Sequence, residues 1–303
     1  MSRYLKVGLE DSFGTAATTL IGVRASDVSP NVNHDPVYLD SIDGFNPYDA
    51  VFGAHTVKCT FTAYAIKDQI NPILNAAFGA ETDITDPTTG AVIGYKYTLD
   101  APKSLTVEYG ERISKAYQFL GTVPNQIKLS AKAKSVVTVE VDGIAKSVSE
   151  VAYSAPTYDT NLPFVCWNTS VTFAGTAKPV KDLELTINRN IDQNEYILDE
   201  STLHDIVYGE TSIEGTITVL ESDVDEFYRA LFGDSAATAL VDEPVKVDIV
   251  MTAKIPDGTK SMVVTIPSVL YPSADYRIRG KNPADKSISF RAVGDGISVV
   301  VDA

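Results

Sequence analysis

The sequence predicts a mainly β protein built from two tandem β-sandwich or β-barrel units, each with one flanking α-helix and a long loop or hairpin arm. Three observations support this fold class. Short segments rich in Val, Thr, Ile and Tyr alternate with turn-forming Gly, Pro, Asn and Asp. Each half of the chain contains one amphipathic helical pattern, and motifs of the first half recur in the second half in the same order.

A strand pattern recurs at a spacing of 156 residues. Val51-Phe52-Gly53 returns as Val207-Tyr208-Gly209, and residues 57–63 then align with residues 213–219. In both segments apolar or small residues occupy alternate positions, which is the period of a strand with one buried face. We therefore expect two equivalent, half-buried strands.

A helical pattern follows each of these strands. Apolar residues recur at helical spacing, namely Ile66, Ile70, Ile73, Leu74 and Ala77 in the first half and Val224, Phe227 and Leu231 in the second. Both patterns end at Phe-Gly, where glycine can adopt the left-handed conformation that commonly follows a helix. Ser222, with Asp225 three residues later, is typical of a capping box. We expect one helix in each half.

Two later blocks keep the same order. Residues 100–107 align with residues 257–264, and both segments place turn residues before a strand. Four apolar positions align at a spacing of 149 residues: Ile127, Leu129, Val139 and Val141 correspond to Tyr276, Ile278, Ile288 and Phe290. Proline and turn formers interrupt the strand pattern over residues 154–163. The predicted domains are therefore residues 1–155 and 156–303.

Composition and charge limit the possible functions. The chain has 25 Lys and Arg against 40 Asp and Glu, a formal charge of −15, which disfavours a nucleic-acid clamp or docking on anionic lipid. No segment approaches the roughly 18 uncharged apolar residues of a membrane-spanning helix, and the first residues lack the pattern of a secretory signal. We expect a soluble protein made in the cytosol, with Cys59 and Cys166 as buried, reduced thiols.

No catalytic or metal-binding pattern occurs in the sequence. His34, His55 and His204 are far apart along the chain and have no ligand residues at the spacing of a zinc site, so exposed loop histidines are the favoured interpretation. The sequence has no phosphate-binding glycine loop, nucleophile elbow or H-E-x-x-H motif. We predict that the protein is not an enzyme and needs no cofactor or metal.

Two local features allow alternative interpretations. The acidic segment 221–226 could bind calcium, but it lies at a predicted helix start, where negative charge is favourable, and it lacks the glycine of an EF-hand loop. The helix-start interpretation is favoured. Trp167 is predicted to be a core or interface aromatic residue.

Several motifs, in order along the chain, resemble the tail tube proteins of long-tailed phages, particularly a duplicated form of this length. Residues 7–15 (VGLEDSFGT) are similar to the family's frequent start of a glycine, a glutamate and an aromatic-Gly-Thr. Residues 102–108 resemble its Pro-Ser-Leu-Thr-φ-Glu strand, with Lys103 inserted. Residues 117–121 and 125–129 are similar to its aromatic, glycine and alternating-strand signature, and residues 185–190 and 207–218 fit in the second half.

The resemblance implies a structural virion protein, synthesised in the host cytoplasm and located in the tail. It would form a tube of stacked rings, with other tail proteins at the tube ends and with DNA passing through the lumen without specific binding. In relatives with one unit per chain, six copies close a ring. A chain with two units would need three copies, so the resemblance implies a homotrimer with pseudo-sixfold symmetry.

Residues 34–54 and 192–211 are long polar and aromatic segments between the first two predicted strands of each half. Segments of this length are usually functional or disordered. We expect them to be arms that contact the adjacent ring and bury apolar residues on assembly. The candidate residues are Val37, Tyr38, Phe45, Tyr48, Tyr196 and Ile197.

Two questions stay open at this stage. The negative charge could line the channel, so that duplex DNA passes without adhering, or it could simply keep the surface soluble. The alternative functions are another virion structural role, such as capsid decoration or the tube of a contractile secretion machine, and a carbohydrate-binding β-sandwich module. The last of these would require an exposed aromatic platform.

Overall fold

The computed structural model describes residues 3–40, 42, 44–111, 115–220, 225–243, 245–276, 286–294 and 296–302. Up to residue 152 the chain forms β1 (Tyr4–Leu9), β2 (Ile21–Val23), β3 (Ala25–Asn33), β4 (Pro36–Leu39), β5 (Asp49–Phe52), β6 (Thr56–Tyr64), α1 (Lys67–Phe78), β7 (Gly79–Thr85), β8 (Val92–Leu99), β9 (Leu105–Gly110), β10 (Lys115–Lys132), β11 (Thr138–Ala145) and β12 (Ser147–Ala152). From residue 165 it forms β13 (Val165–Phe173), β14 (Thr176–Lys178), β15 (Val180–Asn188), β16 (Ile191–Asp192), β17 (Val207–Tyr208), β18 (Ser212–Val219), α2 (Asp225–Phe232), β19 (Val247–Lys254), β20 (Ser261–Tyr276), β21 (Lys286–Ala292) and β22 (Ser298–Asp302). The predicted mainly β class is confirmed, as is one helix in each half of the chain.

One antiparallel sheet runs through both halves of the chain. Its strand order is β3-β6-β11-β10-β15-β18-β21-β20. At the central junction, Gln126 of β10 lies opposite Asn188 of β15, and Lys132 lies opposite Asp182. The strands β3, β6, β11 and β10 therefore pair in the same order as β15, β18, β21 and β20.

Two smaller sheets branch from the long strands β10 and β20. The first has the order β2-β1-β9-β10-β12, and the second has the order β14-β13-β19-β20-β22. β22 also pairs with β8, which forms a hairpin with β7. Within the described residues these pairings branch and never return to their starting strand, so the sheets are open. The sandwich or barrel arrangement of each unit stays a prediction.

Each long strand passes between two sheets at a bulge. Gly121 of β10 has φ 63° and Ser268 of β20 has φ 53°, and the register of the neighbouring pairs shifts at both places. An inserted residue bends a strand and allows it to leave one sheet for another. The Gly121 N–H donates to Oε1 of the buried Glu10 at 2.8 Å, which also ties the N-terminal loop to this bulge.

The two helices differ in how far they are buried. In α1, Ile70, Ile73, Leu74 and Ala77 are buried as the helical pattern predicts. In α2, Phe227 is buried but Leu231 is exposed. Gly79 and Gly233 follow the two helices, and both have φ 92°. Val224 and the predicted cap residue Ser222 lie outside the described residues, as does Ile278.

The core is continuous across the two halves. A single buried cluster contains Phe61 and Phe119 from the first half together with Leu185 and Phe290 from the second. The connection over residues 153–164 is fixed to the first half by a buried polar network. Lys6 pairs with Glu108 at 3.1 Å and donates to Ser154 Oγ, and Tyr4 donates to Glu108 at 2.6 Å. Burial and the Glu108 contact raise the pKa of Tyr4 to about 12, so the phenol stays a donor.

Candidate assembly surfaces

The first arm is a hairpin that extends from the end of the main sheet between β3 and β6. Its strands β4 and β5 pair from Pro36 opposite Phe52 to Leu39 opposite Asp49. Four of the predicted assembly residues lie on this arm, and all four are exposed: Val37, Tyr38, Phe45 and Tyr48. Ile42, Val51 and Phe52 are exposed as well. None of these three was predicted to be an assembly residue, although each is an apolar residue in the same segment and Val51 and Phe52 belong to the recurring motif.

The second arm lies between β15 and β18 and is partly folded back on the subunit. Ile197 is exposed as expected, and so is its neighbour Leu198. Tyr196 is only half-exposed, because it packs against the buried Val123, Ile144, Ile191 and Leu203. Its hydroxyl donates to the His55 carbonyl at 3.0 Å. Tyr196 therefore positions the arm within the subunit.

The two arms start from the same kind of turn, and the base of the first arm contacts the second arm. Asp35 has φ 38° and Asn190 has φ 48°. The Gly53 N–H donates to the His34 and Asp35 carbonyls, and the Gly209 N–H donates to the Arg189 and Asn190 carbonyls. The His55 N–H donates to the Ser201 carbonyl at 2.7 Å. Both arms thus leave the sheet at the same end.

Arg189 fixes the base of the second arm to the first helix. It is buried, and its guanidinium donates to the Ala77 carbonyl through Nε at 2.9 Å and to the Phe78 carbonyl through Nη2 at 2.9 Å. These carbonyls lie at the C-terminal end of α1, where a helix lacks internal donors and favours positive charge. The last turn of α1 has no basic residue of its own. No sequence pattern predicted this contact, because Arg189 and the end of α1 are more than 100 residues apart along the chain.

The arms are strongly acidic. Residues 34–54 contain four Asp and residues 192–211 contain six Asp or Glu, and neither segment contains Lys or Arg. Exposed aromatic and aliphatic side chains lie among these carboxylates. A surface of this kind would pair best with a partner surface that is apolar at its centre and basic at its rim.

The histidines lie on or beside the arms. His34 and His55 were expected to be separate, but their Nδ1 atoms are 3.0 Å apart, and His34 also packs on the Phe52 ring at 4.9 Å. His204 Nδ1 is 3.1 Å from Glu200 Oε2. In the part of the chain that the structure describes, no three His, Cys, Asp or Glu side chains are grouped closely enough to hold a metal ion.

The acidic segment, the two cysteines and Trp167 are the other features that the sequence singled out. Residues 221–224 of the acidic segment lie outside the described residues, while Asp225 pairs with Lys178 at 3.0 Å and Glu226 accepts a hydrogen bond from Tyr271 at 3.0 Å. Cys59 is buried, and Cys166 is half-buried. Burial raises the pKa of both thiols, that of Cys59 to about 12. Trp167 is exposed, which excludes the core interpretation and leaves the interface one.

Neither of the two helices in the described part of the chain has the length and apolar character that crossing a membrane requires. The described residues instead form a β scaffold that carries exposed apolar and acidic arms. Exposed apolar surfaces of this kind are typical of a structural protein that acts by association.

A family model described as "Phage tail tube protein" matches residues 2–292. Because this match covers nearly the whole chain, the protein belongs to the phage tail tube protein family. The family is structural and non-enzymatic, and membership makes the chain a component of the virion tail that self-assembles into a tube with other tail proteins. No curated protein matches the chain significantly.

Proposed function

We propose that the chain is the major tail tube protein and forms stacked rings around a lumen through which the genome DNA passes. The observation that carries this proposal is the repeated strand pairing within a tail tube chain. Two successive sets of strands follow one pairing order, and they join edge to edge through β10 and β15. A subunit with two such units in series can supply two of six similar positions around a ring.

We infer that residues 1–155 and 156–303 are tandem tube-fold repeats. Three matched details support this inference besides the pairing order. The arm turns at Asp35 and Asn190 have the same conformation and the same glycine contacts. Both helices end in Phe-Gly with the same glycine φ. The left-handed residues Gly121 and Ser268 lie at the bulges of the two long strands.

The proposed ring is a homotrimer. A chain with two units presents different surfaces at its two ends, so the contact between copies is heterologous and forms a ring when the rotation closes. Three copies would give six units and a pseudo-sixfold outline. Native mass spectrometry is expected to detect a trimer, and detection of monomer and hexamer alone would contradict this stoichiometry.

The proposed contact between stacked rings is made by the arms. Val37, Tyr38, Phe45, Tyr48 and Ile197 would be buried there, while Tyr196 would act by fixing the second arm to its own subunit. These apolar side chains form exposed patches on the isolated subunit, which is typical of a surface that becomes buried on association.

The proposed lumen carries DNA without binding it. The formal charge of −15 opposes adsorption of a polyanion, because such binding depends on clustered Lys and Arg. Negative-stain microscopy of the purified protein at high concentration tests the tube proposal directly. Tubes with an open central channel are expected, whereas isolated globules or solid aggregates under all assembly conditions would contradict it.

A further inference from the structure

Three side chains with complementary chemistry meet at the C-terminal end of α1. Asn75 lies in the last turn of this helix and is 9% exposed. Its Oδ1 accepts a hydrogen bond from Lys103 Nζ at 2.9 Å, and its Nδ2 donates to Glu81 Oε2 at 2.9 Å. An amine, a carboxamide and a carboxylate are therefore joined in one hydrogen-bonded chain.

The backbone holds Lys103 beside Asn75. The Lys103 N–H donates to the Ala76 carbonyl at 2.9 Å, and the Asp100 N–H donates to the Phe78 carbonyl at 2.6 Å. These bonds fix the segment before β9 along the last turn of α1. Two groups held in this way react within one structure and need no encounter from solution, which greatly raises the rate of a reaction between them.

The Lys103 amine is within reach of the side-chain carbonyl carbon of Asn75. Because a C=O bond is about 1.23 Å long, a nitrogen 2.9 Å from Oδ1 lies no more than about 4.1 Å from Cγ. The flexible lysine stem can shorten this distance to the roughly 3–3.5 Å of a near-attack geometry. Lys103 and Glu81 are both exposed, so solvent can take a proton from the ammonium group and a small leaving molecule can escape.

We propose that Lys103 and Asn75 form an intramolecular isopeptide bond, with Glu81 as the catalytic residue. The neutral Nζ attacks Cγ, and the bond between Cγ and Nδ2 breaks. In the tetrahedral intermediate both nitrogens are attached to Cγ, and Glu81, which already contacts Nδ2, moves a proton from Nζ to Nδ2. Nδ2 leaves as ammonia, so the reaction is balanced without an oxidant or any other reactant.

The isopeptide bond locks the β7–β8 hairpin at its base. This hairpin lies between the two linked residues, and its strand β8 pairs with β22 near the end of the chain. A covalent link across a separation of 28 residues removes conformational freedom from the unfolded chain, as a disulfide does. The protein thereby gains a covalent constraint, although Cys59 and Cys166 are unpaired.

Intact-mass spectrometry of the purified full-length chain tests this bond. The protein is held at pH 7 and at an alkaline pH, and its mass is expected to fall by one ammonia molecule, faster at the alkaline pH because only the neutral amine attacks. Trypsin should then release residues 68–96 joined to residues 97–112, since Lys103 in an amide bond is no longer a cleavage site. An unchanged mass after prolonged alkaline incubation, or a lighter protein whose peptides are all linear, would overturn the proposal.

Lys103→Arg should abolish the loss of ammonia, because a guanidinium keeps the charge and the donors but is always protonated. The matched control is Lys115→Arg, which changes an exposed lysine that pairs with Glu150 at 2.8 Å and should lose ammonia as the wild type does. Glu81→Gln is expected to slow the loss by about a hundredfold or more, as removal of a general acid–base group does.

Circular dichroism checks that each variant folds. Loss of ammonia from Lys103→Arg would overturn the bond, and an unchanged rate in Glu81→Gln would overturn the role of Glu81. Because the bond lies within one chain, either result leaves the ring and tube proposals standing.

Discussion

Arg189 is a single buried residue that links the two halves of the chain. It lies directly after β15 and supplies donors to the end of α1, although it is 112 residues from Ala77 along the chain. Replacement of one partner in a buried charged contact leaves the other polar groups without compensation, which is more costly than loss of an exposed ion pair.

Arg189→Met should lower the free energy of unfolding by about 2–4 kcal/mol, because the Ala77 carbonyl loses its guanidinium donors. Arg189→Lys should lie between wild type and Arg189→Met, since lysine keeps the charge but not the planar fork. Guanidinium unfolding of the three proteins measures this order.

The control for this prediction is Arg291→Met. Arg291 is exposed, and its Nε is 3.7 Å from Glu214 Oε1, so its loss should cost less than about 1 kcal/mol. If Arg189→Met were no more destabilising than Arg291→Met, the contact of Arg189 with the end of α1 would stabilise the protein no more than an exposed ion pair does.

The strand β15 shows how an element joins the halves through charge as well as backbone pairing. Glu184 lies between two lysines of β10, at 3.0 Å from Lys128 Nζ and 2.8 Å from Lys132 Nζ. The hydrogen bond from Lys132 is the main cause that holds the pKa of Glu184 below its ordinary value, and Lys128 adds to it. The lowered pKa means that folding favours the ionised carboxylate.

Glu184→Gln should therefore destabilise the protein at neutral pH by less than about 1 kcal/mol, because the lysines are partly exposed and solvent screens the pairs. The wild-type advantage is present above the pKa of an unfolded glutamate, about 4.3, and disappears as the pH falls through the lowered folded value. Unfolding curves at pH 7 and in acid should thus converge for the two proteins. The exposed Glu243→Gln is the control and should follow wild type at both pH values; a difference that persists in acid would contradict the electrostatic explanation.

For single strands and helices, the sequence predicts structure that depends on residues close together along the chain. The alternation of residues 57–63 and 213–219 was enough to identify β6 and β18, because a half-buried strand shows its period in its own residues. Helical spacing and the Phe-Gly pairs were likewise enough to identify both helices and their glycine ends. Helical spacing did not reveal that Leu231 is exposed, because spacing identifies an apolar face of a helix but not the residues that pack against it.

Pairing partners could not be predicted in the same way. Residues 100–107 resemble residues 257–264, which include the start of β20. The strand pairings instead make β19 the counterpart of β9, because β9 joins β1 to β10 and β19 joins β13 to β20. Turn residues before a strand recur at many places and do not specify a neighbour. Arg189 and Tyr196 were missed as anchors for the same reason, since their partners are remote in sequence.

For the whole molecule, the proposed function assigns folding to the scaffold and assembly to the arms. The core is continuous and contains none of the residues 38–49. The arms contribute ten carboxylates and no Lys or Arg, together with exposed aromatic side chains. Their removal should therefore affect contacts between rings more than the stability of one subunit.

Replacement of residues 38–49 by a two-glycine turn tests this division. The deletion removes Tyr38, Phe45 and Tyr48 but keeps the long paired strands of the main sheet, so ring formation should survive while tube formation is lost. Circular dichroism and thermal unfolding should resemble wild type, native mass spectrometry should still detect the ring, and microscopy should show no tubes. The control removes residues 87–90, an exposed turn between β7 and β8. Intact tubes without residues 38–49 would exclude the arm as the stacking contact, because its exposed apolar surface would then be dispensable. Equal loss of tubes in the control would also count against it, because the effect would then not be specific to the arm.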